Sequence, residues 1–144
     1  MNCVIYDAFL YGLISGTVHL NNIDEFCLAL MDTTYHAADD KTTLSLTWSE
    51  NLDGKRARAG VNLVEVKDIN LIADIKDTEA GHQFLVESDD NITWENLTCN
   101  IGSIVLYNKT ADIPIACYEF DSPVTTREMD FVLKSPMNLL EFTI

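Results

Sequence analysis

Along most of this chain apolar and polar positions alternate in short runs parted by turn residues, which is the pattern of an antiparallel β domain. It is clearest in Ile92-Thr-Trp94-Glu95-Asn-Leu97-Thr98, Ile104-Val-Leu-Tyr107-Asn-Lys-Thr110 and Ile113-Pro-Ile-Ala-Cys-Tyr118-Glu-Phe120. The spacing predicts separate strands over Ile92–Leu97, Ile101–Tyr107 and Ile113–Phe120, followed by Met129–Leu133 and a last strand over Asn138–Ile144. Pro114 suits a strand start or edge, because proline cannot donate to a ladder. Near the N-terminus, Val4, Ile5, Ala8, Phe9, Tyr11, Leu13 and Ile14 recur at roughly helical spacing and Gly16 follows as a stop. Residues 4–15 are therefore expected as a short amphipathic helix.

Phe26, Leu28 and Leu30 alternate with Cys27, Ala29 and Met31, so this strand should be buried on both faces. A polar loop over Asp32–Lys41 comes next. Leu44, Leu46 and Trp48 then alternate with Thr43, Ser45 and Thr47 on a strand with one oily face. Asn51 to Arg58 reads as a loop or hairpin tip, its Asp53-Gly54 pair supplying the positive φ of a tight turn. Val61–Lys67 and Ile69–Ile75 read as two strands with little turn chemistry between them, continuous through a bulge. Lys76–Gly81 forms a turn and Phe84–Val86 a short strand. With strands from about residue 24 to 144, the chain is expected to be one mainly β domain, an antiparallel sandwich or barrel.

Charge changes the picture of partners. Nine Lys and Arg against 23 Asp and Glu give a net charge of −14. Such a surface repels phosphate backbones, whose affinity comes from cationic neutralisation, so nucleic acid is not an expected partner. With no run of 18 apolar residues, no membrane-spanning helix is expected either. The start, Met1-Asn-Cys-Val-Ile-Tyr-Asp7, lacks the basic and apolar regions of a signal peptide. The sequons at Asn91, Asn96 and Asn108 are accordingly read as ordinary Thr- and Asn-rich strand sequence. Two loops concentrate charge. Asp39, Asp40 and Lys41 close one, and Lys55, Arg56 and Arg58 form a cationic tip on an acidic body; these six are the candidate partner contacts.

Catalytic and metal chemistry finds no pattern. Cys3, Cys27, Cys99 and Cys117 show no C-x-x-C spacing, and His19, His36 and His82 are scattered, so free thiols and no zinc are expected. Ser88-Asp89-Asp90-Asn91 lacks the order of oxygen ligands of a calcium loop. The six glycines form no phosphate-binding loop, no G-x-S-x-G elbow occurs, and 23 acids single out no carboxylate pair. No catalytic residue and no cofactor is assigned. Trp48 and Trp94 are the residues a ligand-binding groove would use, but in alternating strands they read as core or interface residues.

The order of several short blocks resembles a family of small tailed-bacteriophage virion proteins. Tyr6-Asp7-Ala-Phe9-Leu10, Leu13, Gly16, Val18-His19-Leu20 and Phe26-Cys-Leu28-Ala-Leu30-Met31 match its opening helix and strand, and Asp32-Thr33-Thr34-Tyr35 its Thr-rich loop. Ala59-Gly60-Val61-Asn62-Leu63, Ile92-Thr93-Trp94, Val105-Leu106-Tyr107-Asn108 and Phe120-Asp121 match later blocks. Where the family has a Gly-Gly pair and a late glycine, this chain has Ala59-Gly60 and Asn138. The resemblance implies a non-enzymatic structural protein of the virion: a capsid decoration or cement protein, homo-oligomeric with a trimer among the options, bound to the major capsid protein on the particle surface and made in the host cytoplasm. A tail or neck component, or a carbohydrate- or ligand-binding β-sandwich, are the alternatives.

Overall fold

The computed structural model describes residues 2–20, 24–42, 48–50, 56–58, 63–79, 81–88, 90–134 and 137–143. The chain is mainly β, with one short helix near the N-terminus, as the alternation predicts. Strand β2 (Phe26–Met31) lies inside the larger sheet, and all six of its residues are buried. Phe26, Leu28 and Leu30 enter one core cluster and Cys27, Ala29 and Met31 the other. Period-two alternation of wholly apolar residues makes this possible, since each face meets its own apolar partner. Leu28→Ala would cost about 2–5 kcal/mol at such a site.

β2 pairs antiparallel with β5 (Leu63–Ile69) on one side and β8 (Ile92–Asn108) on the other. β8 pairs with β9 (Ile113–Leu133), and β9 with β1 (Asn2–Ile5), giving the order β1-β9-β8-β2-β5. A second sheet has the order β10 (Met137–Thr143), β7 (Gly81–Ser88), β6 (Leu71–Thr78). Its Leu71, Val86 and Leu139 belong to the same core cluster as Phe26, Leu28, Leu30, Ile104 and Leu106. The Tyr118 hydroxyl donates to the Leu139 carbonyl and ties the two sheets together. A third, two-stranded sheet joins β3 (Trp48–Glu50) to β4 (Arg56–Arg58).

The other face of the larger sheet is covered by residues 32–42. This segment is less polar in its contacts than its composition suggests: Tyr35 and Ala37 are buried against Cys27, Ala29, Met31, Val105 and Cys117, and a 3-10 turn spans Ala37–Asp39. It runs from β8 over β9 to the residue Asp7. A Cβ on Gly102 would lie 2.9 Å from the Asp32 carbonyl oxygen, the Ala37 N–H donates to Glu119 Oε1 at 3.3 Å, and the Asp7 N–H donates to the Lys41 carbonyl at 2.9 Å.

Several element boundaries differ from expectation. The helix α1 covers Asp7–Ser15 only, because Val4 and Ile5 lie in β1 opposite Cys117 and Ala116. Arg56 and Arg58 lie on β4, a strand rather than a loop tip. β5 and β6 do not continue one another within a sheet but belong to different sheets. The two strands expected over 92–107 are one, β8, and those over 113–133 are one, β9; bulges replace the turns, with register shifts between Trp94 and Leu97, Leu97 and Cys99, and Ile101 and Ser103. β6 and β7 are also longer than expected, reaching Thr78 and starting at Gly81. The alternation expected over residues 43–47 falls outside the described residues, as does Lys55.

Candidate functional site

Helix α1 is held by backbone groups rather than by a capping side chain. Its N-cap, Tyr6, makes no side-chain cap bond, and the Lys41 carbonyl takes the N–H of Asp7 instead, satisfying one of the donors a helix start leaves over. At the other end Gly16 adopts φ 76°, with Thr17 N–H on the Gly12 carbonyl at 2.9 Å, so the chain reverses in the left-handed turn that favours glycine. Gly12 is needed inside the helix as well. A Cβ there would meet Val18 Cγ2 at 2.6 Å, where the chain folds back.

This anchoring brings Asp39, Asp40 and Lys41 to the start of α1. Asp39 and Lys41 are exposed and Asp40 is half-buried, beside Tyr6 and Tyr35. Arg56 and Arg58 stand on the β3–β4 sheet, so the structure divides the five described candidate contacts between separate elements, Lys55 lying outside the described residues. What sequence reasoning missed is the outer face of α1. Ala8, Phe9 and Gly12 are its buried residues, whereas Leu10, Tyr11, Leu13 and Ile14 are exposed by 43%, 59%, 37% and 87%. Tyr11, Leu13 and Ile14 share one helical spacing with Ala8 and Phe9, because nearly every residue of the helix is apolar and the spacing alone fits either face.

Between residues 32–42 and the sheet lies a buried polar group. The Tyr6 and Tyr35 hydroxyls hydrogen-bond each other, and burial raises both pKa values. Burial likewise pushes the Cys117 thiol up to about 12, which leaves almost no thiolate at neutral pH. Tyr118 is raised by burial too.

At the closed end of the β8–β9 hairpin the buried Asp24 takes three contacts: the Asn108 amide at 2.8 Å, the His19 backbone N–H at 2.9 Å and His19 Nδ1 at 3.4 Å. Burial pushes its pKa up, but the Asn108 and His19 contacts outweigh that and hold it below the ordinary carboxylate value. Beside it opens a cleft of 320 Å³ lined by Asp24, Glu25, Phe26, Asp68, Asn70 and Lys109. Lys109 Nζ donates to Asp68 at 3.0 Å across it. Asp24, Asp68 and Lys109 are each held by a neighbouring side chain, and among the described residues no group of three or more His, Cys, Asp or Glu side chains is placed to hold a metal ion.

Trp94 is only 2% exposed, its ring 5.7 Å from that of Phe131 at 50°, so it belongs to the core and offers no stacking platform. Comparison with protein families, curated proteins and solved structures finds no match to this chain.

Proposed function

We propose that this chain is a non-enzymatic structural protein of a tailed-phage virion, a capsid decoration protein bound to the outer surface of the major capsid lattice. The observation that carries this reading is the order and spacing of the sequence blocks that resemble the small virion proteins. Four of those blocks fall on described strands: Phe26–Met31 is β2, Ile92-Thr93-Trp94 opens β8, Val105–Asn108 closes it, and Phe120-Asp121 lies in β9. We read the two larger sheets as the layers of a sandwich, and the protein as a homo-oligomer.

The mechanism is mechanical. A decoration protein bridges neighbouring capsomers, so that many weak contacts must break together before internal pressure opens the shell. The acidic body favours a partner with complementary basic surface and disfavours nucleic acid. The ligand-binding alternative is weakened by the burial of Trp94.

Locating the chain in the intact particle by electron microscopy tests the reading. Density on the capsid lattice is expected, and particles assembled without the protein should form but rupture at lower temperature. Density confined to the tail or neck, with equally robust stripped particles, would overturn it.

A further inference from the structure

The outer face of α1 calls for a partner. At about 100° per residue, Leu13, Leu10, Ile14 and Tyr11 stand side by side on an arc opposite Ala8, Phe9 and Gly12. These four are most of the large exposed hydrophobic residues among the described ones, the others being Met129 and Val132 on β9. Residues 2–18 hold a single charged side chain, Asp7, on a chain of net charge −14. A helix apolar on all sides is ordinarily covered on all sides.

The surroundings narrow what covers it. Asp7, Asp39 and Asp40 gather at the helix start, through the bond from Asp7 N–H to the Lys41 carbonyl, and Lys41 is the only cation among them. An anionic membrane is disfavoured, because a surface helix of that kind carries Lys and Arg beside its apolar face and this one carries none. A second copy is disfavoured by like charge, since the acidic residues at the helix start of one copy would face those of the other. A different protein with cations around an apolar groove meets both the apolar arc and the acidic rim, in the helix-in-groove mode.

We propose that α1 docks through Leu10, Tyr11, Leu13 and Ile14 into an apolar groove of a different protein, and that lysine or arginine side chains at the groove's edge meet Asp7, Asp39 and Asp40. This deepens the proposed function, on which it rests only for the identity of that partner.

The test places a photo-crosslinking phenylalanine analogue at position 14, or at Val132 as a control, in the full chain expressed in its natural host cell. One heterologous adduct is expected from position 14 and not from 132, and mass spectrometry should map it to apolar residues flanked by Lys or Arg. The purified partner should bind the wild-type chain at least about tenfold more tightly than a folded Leu10→Gln/Ile14→Gln variant, and Asp39→Lys should weaken binding and flatten its salt dependence. Crosslinking to the major capsid protein would support both readings; crosslinking to a groove of the same chemistry on a non-virion protein would support the docking helix and sink the virion assignment. No adduct, an adduct only with a second copy, or binding unchanged in the Leu10→Gln/Ile14→Gln variant would overturn the docking helix.

Discussion

Asn96 and Glu128 face each other diagonally across the β8–β9 ribbon, both with left-handed backbone, at φ 51° and 44°, on either side of the Leu97–Met129 pair. Side chains close the ladder where the backbone departs from it. Asn96 N–H donates to Asp130 Oδ1 at 3.0 Å, and Glu128 N–H to Thr98 Oγ1 at 2.9 Å. The paired irregularity turns Leu97 into the core and Met129 out to solvent.

Asparagine tolerates this conformation and glutamate pays for it with its Cβ. Glu128→Gly is therefore expected to raise stability by about 1 kcal/mol, and Asn96→Gly to change it by only a few tenths. Thermal or urea denaturation of the two variants measures both. Destabilisation of more than about 1 kcal/mol by Glu128→Gly would refute the strain.

Asp24 should make stability acid-sensitive. Its folded pKa is depressed, so its contribution is present above the unfolded value of about 3.9 and is lost as pH falls through the folded value. Asp24→Ala leaves the Asn108 amide and the His19 N–H without their acceptor and should cost about 1–3 kcal/mol at pH 7, with a flatter stability profile below pH 4. Lys109→Ala is the contrast. Its partner Asp68 is 75% exposed, and the loss should stay under about 1 kcal/mol.

None of the four cysteines forms a disulfide, and they should react in order of exposure. Cys3 is exposed, Cys99 half-buried beside Thr126, and Cys27 and Cys117 buried. Native protein titrated with a thiol reagent near neutral pH should lose Cys3 first and Cys99 later, while Cys27 and Cys117 react only on unfolding. Rapid labelling of Cys117 in the folded chain would contradict its raised pKa and its burial.

Gly102 lets residues 32–34 lie directly on β8. A Cβ there would come within 2.9 Å of the Asp32 carbonyl oxygen and 3.0 Å of Thr33 Cα, both backbone atoms with little room to retreat. Gly102→Ala should cost about 1–3 kcal/mol, and hydrogen exchange should speed up at Tyr35 and Asp39, whose N–H groups are bonded within that segment. An unchanged exchange pattern would show that the segment is held elsewhere.

Strands were legible where the sequence was uniform. Phe26–Met31 is apolar at every position, and only a strand with two covered faces accommodates it. Lengths were not legible. Thr98-Cys-Asn100 and Asp121-Ser-Pro-Val-Thr-Thr126 have the composition of turns, yet tertiary pairing draws them into extended strands with bulges. Val4 and Ile5 fitted a helical period and were captured by β9, more than a hundred positions away, which local spacing cannot reveal. Asp39 and Lys41 were legible as exposed charge, but their place beside α1 was not, because a backbone hydrogen bond between Asp7 and Lys41 makes it and any side chains would permit that bond. The bare outer arc of α1 left no local sign either, since Phe9 and Ile14 are equally apolar and only the fold decides which is covered.

The pairing of β1 with residues 116–119, and of β2 with residues 63–69 and 103–108, has a consequence during synthesis. As the nascent chain emerges, the six apolar residues of β2 wait without a neighbour on either edge until β5 and then β8 have been translated, and β1 waits longer still. Such sequence-distant pairing slows folding and keeps an uncharged, strand-forming segment open to other chains meanwhile. Production at lower temperature or with a holding chaperone should therefore raise the soluble yield, and truncation before residue 103 should give a chain that aggregates.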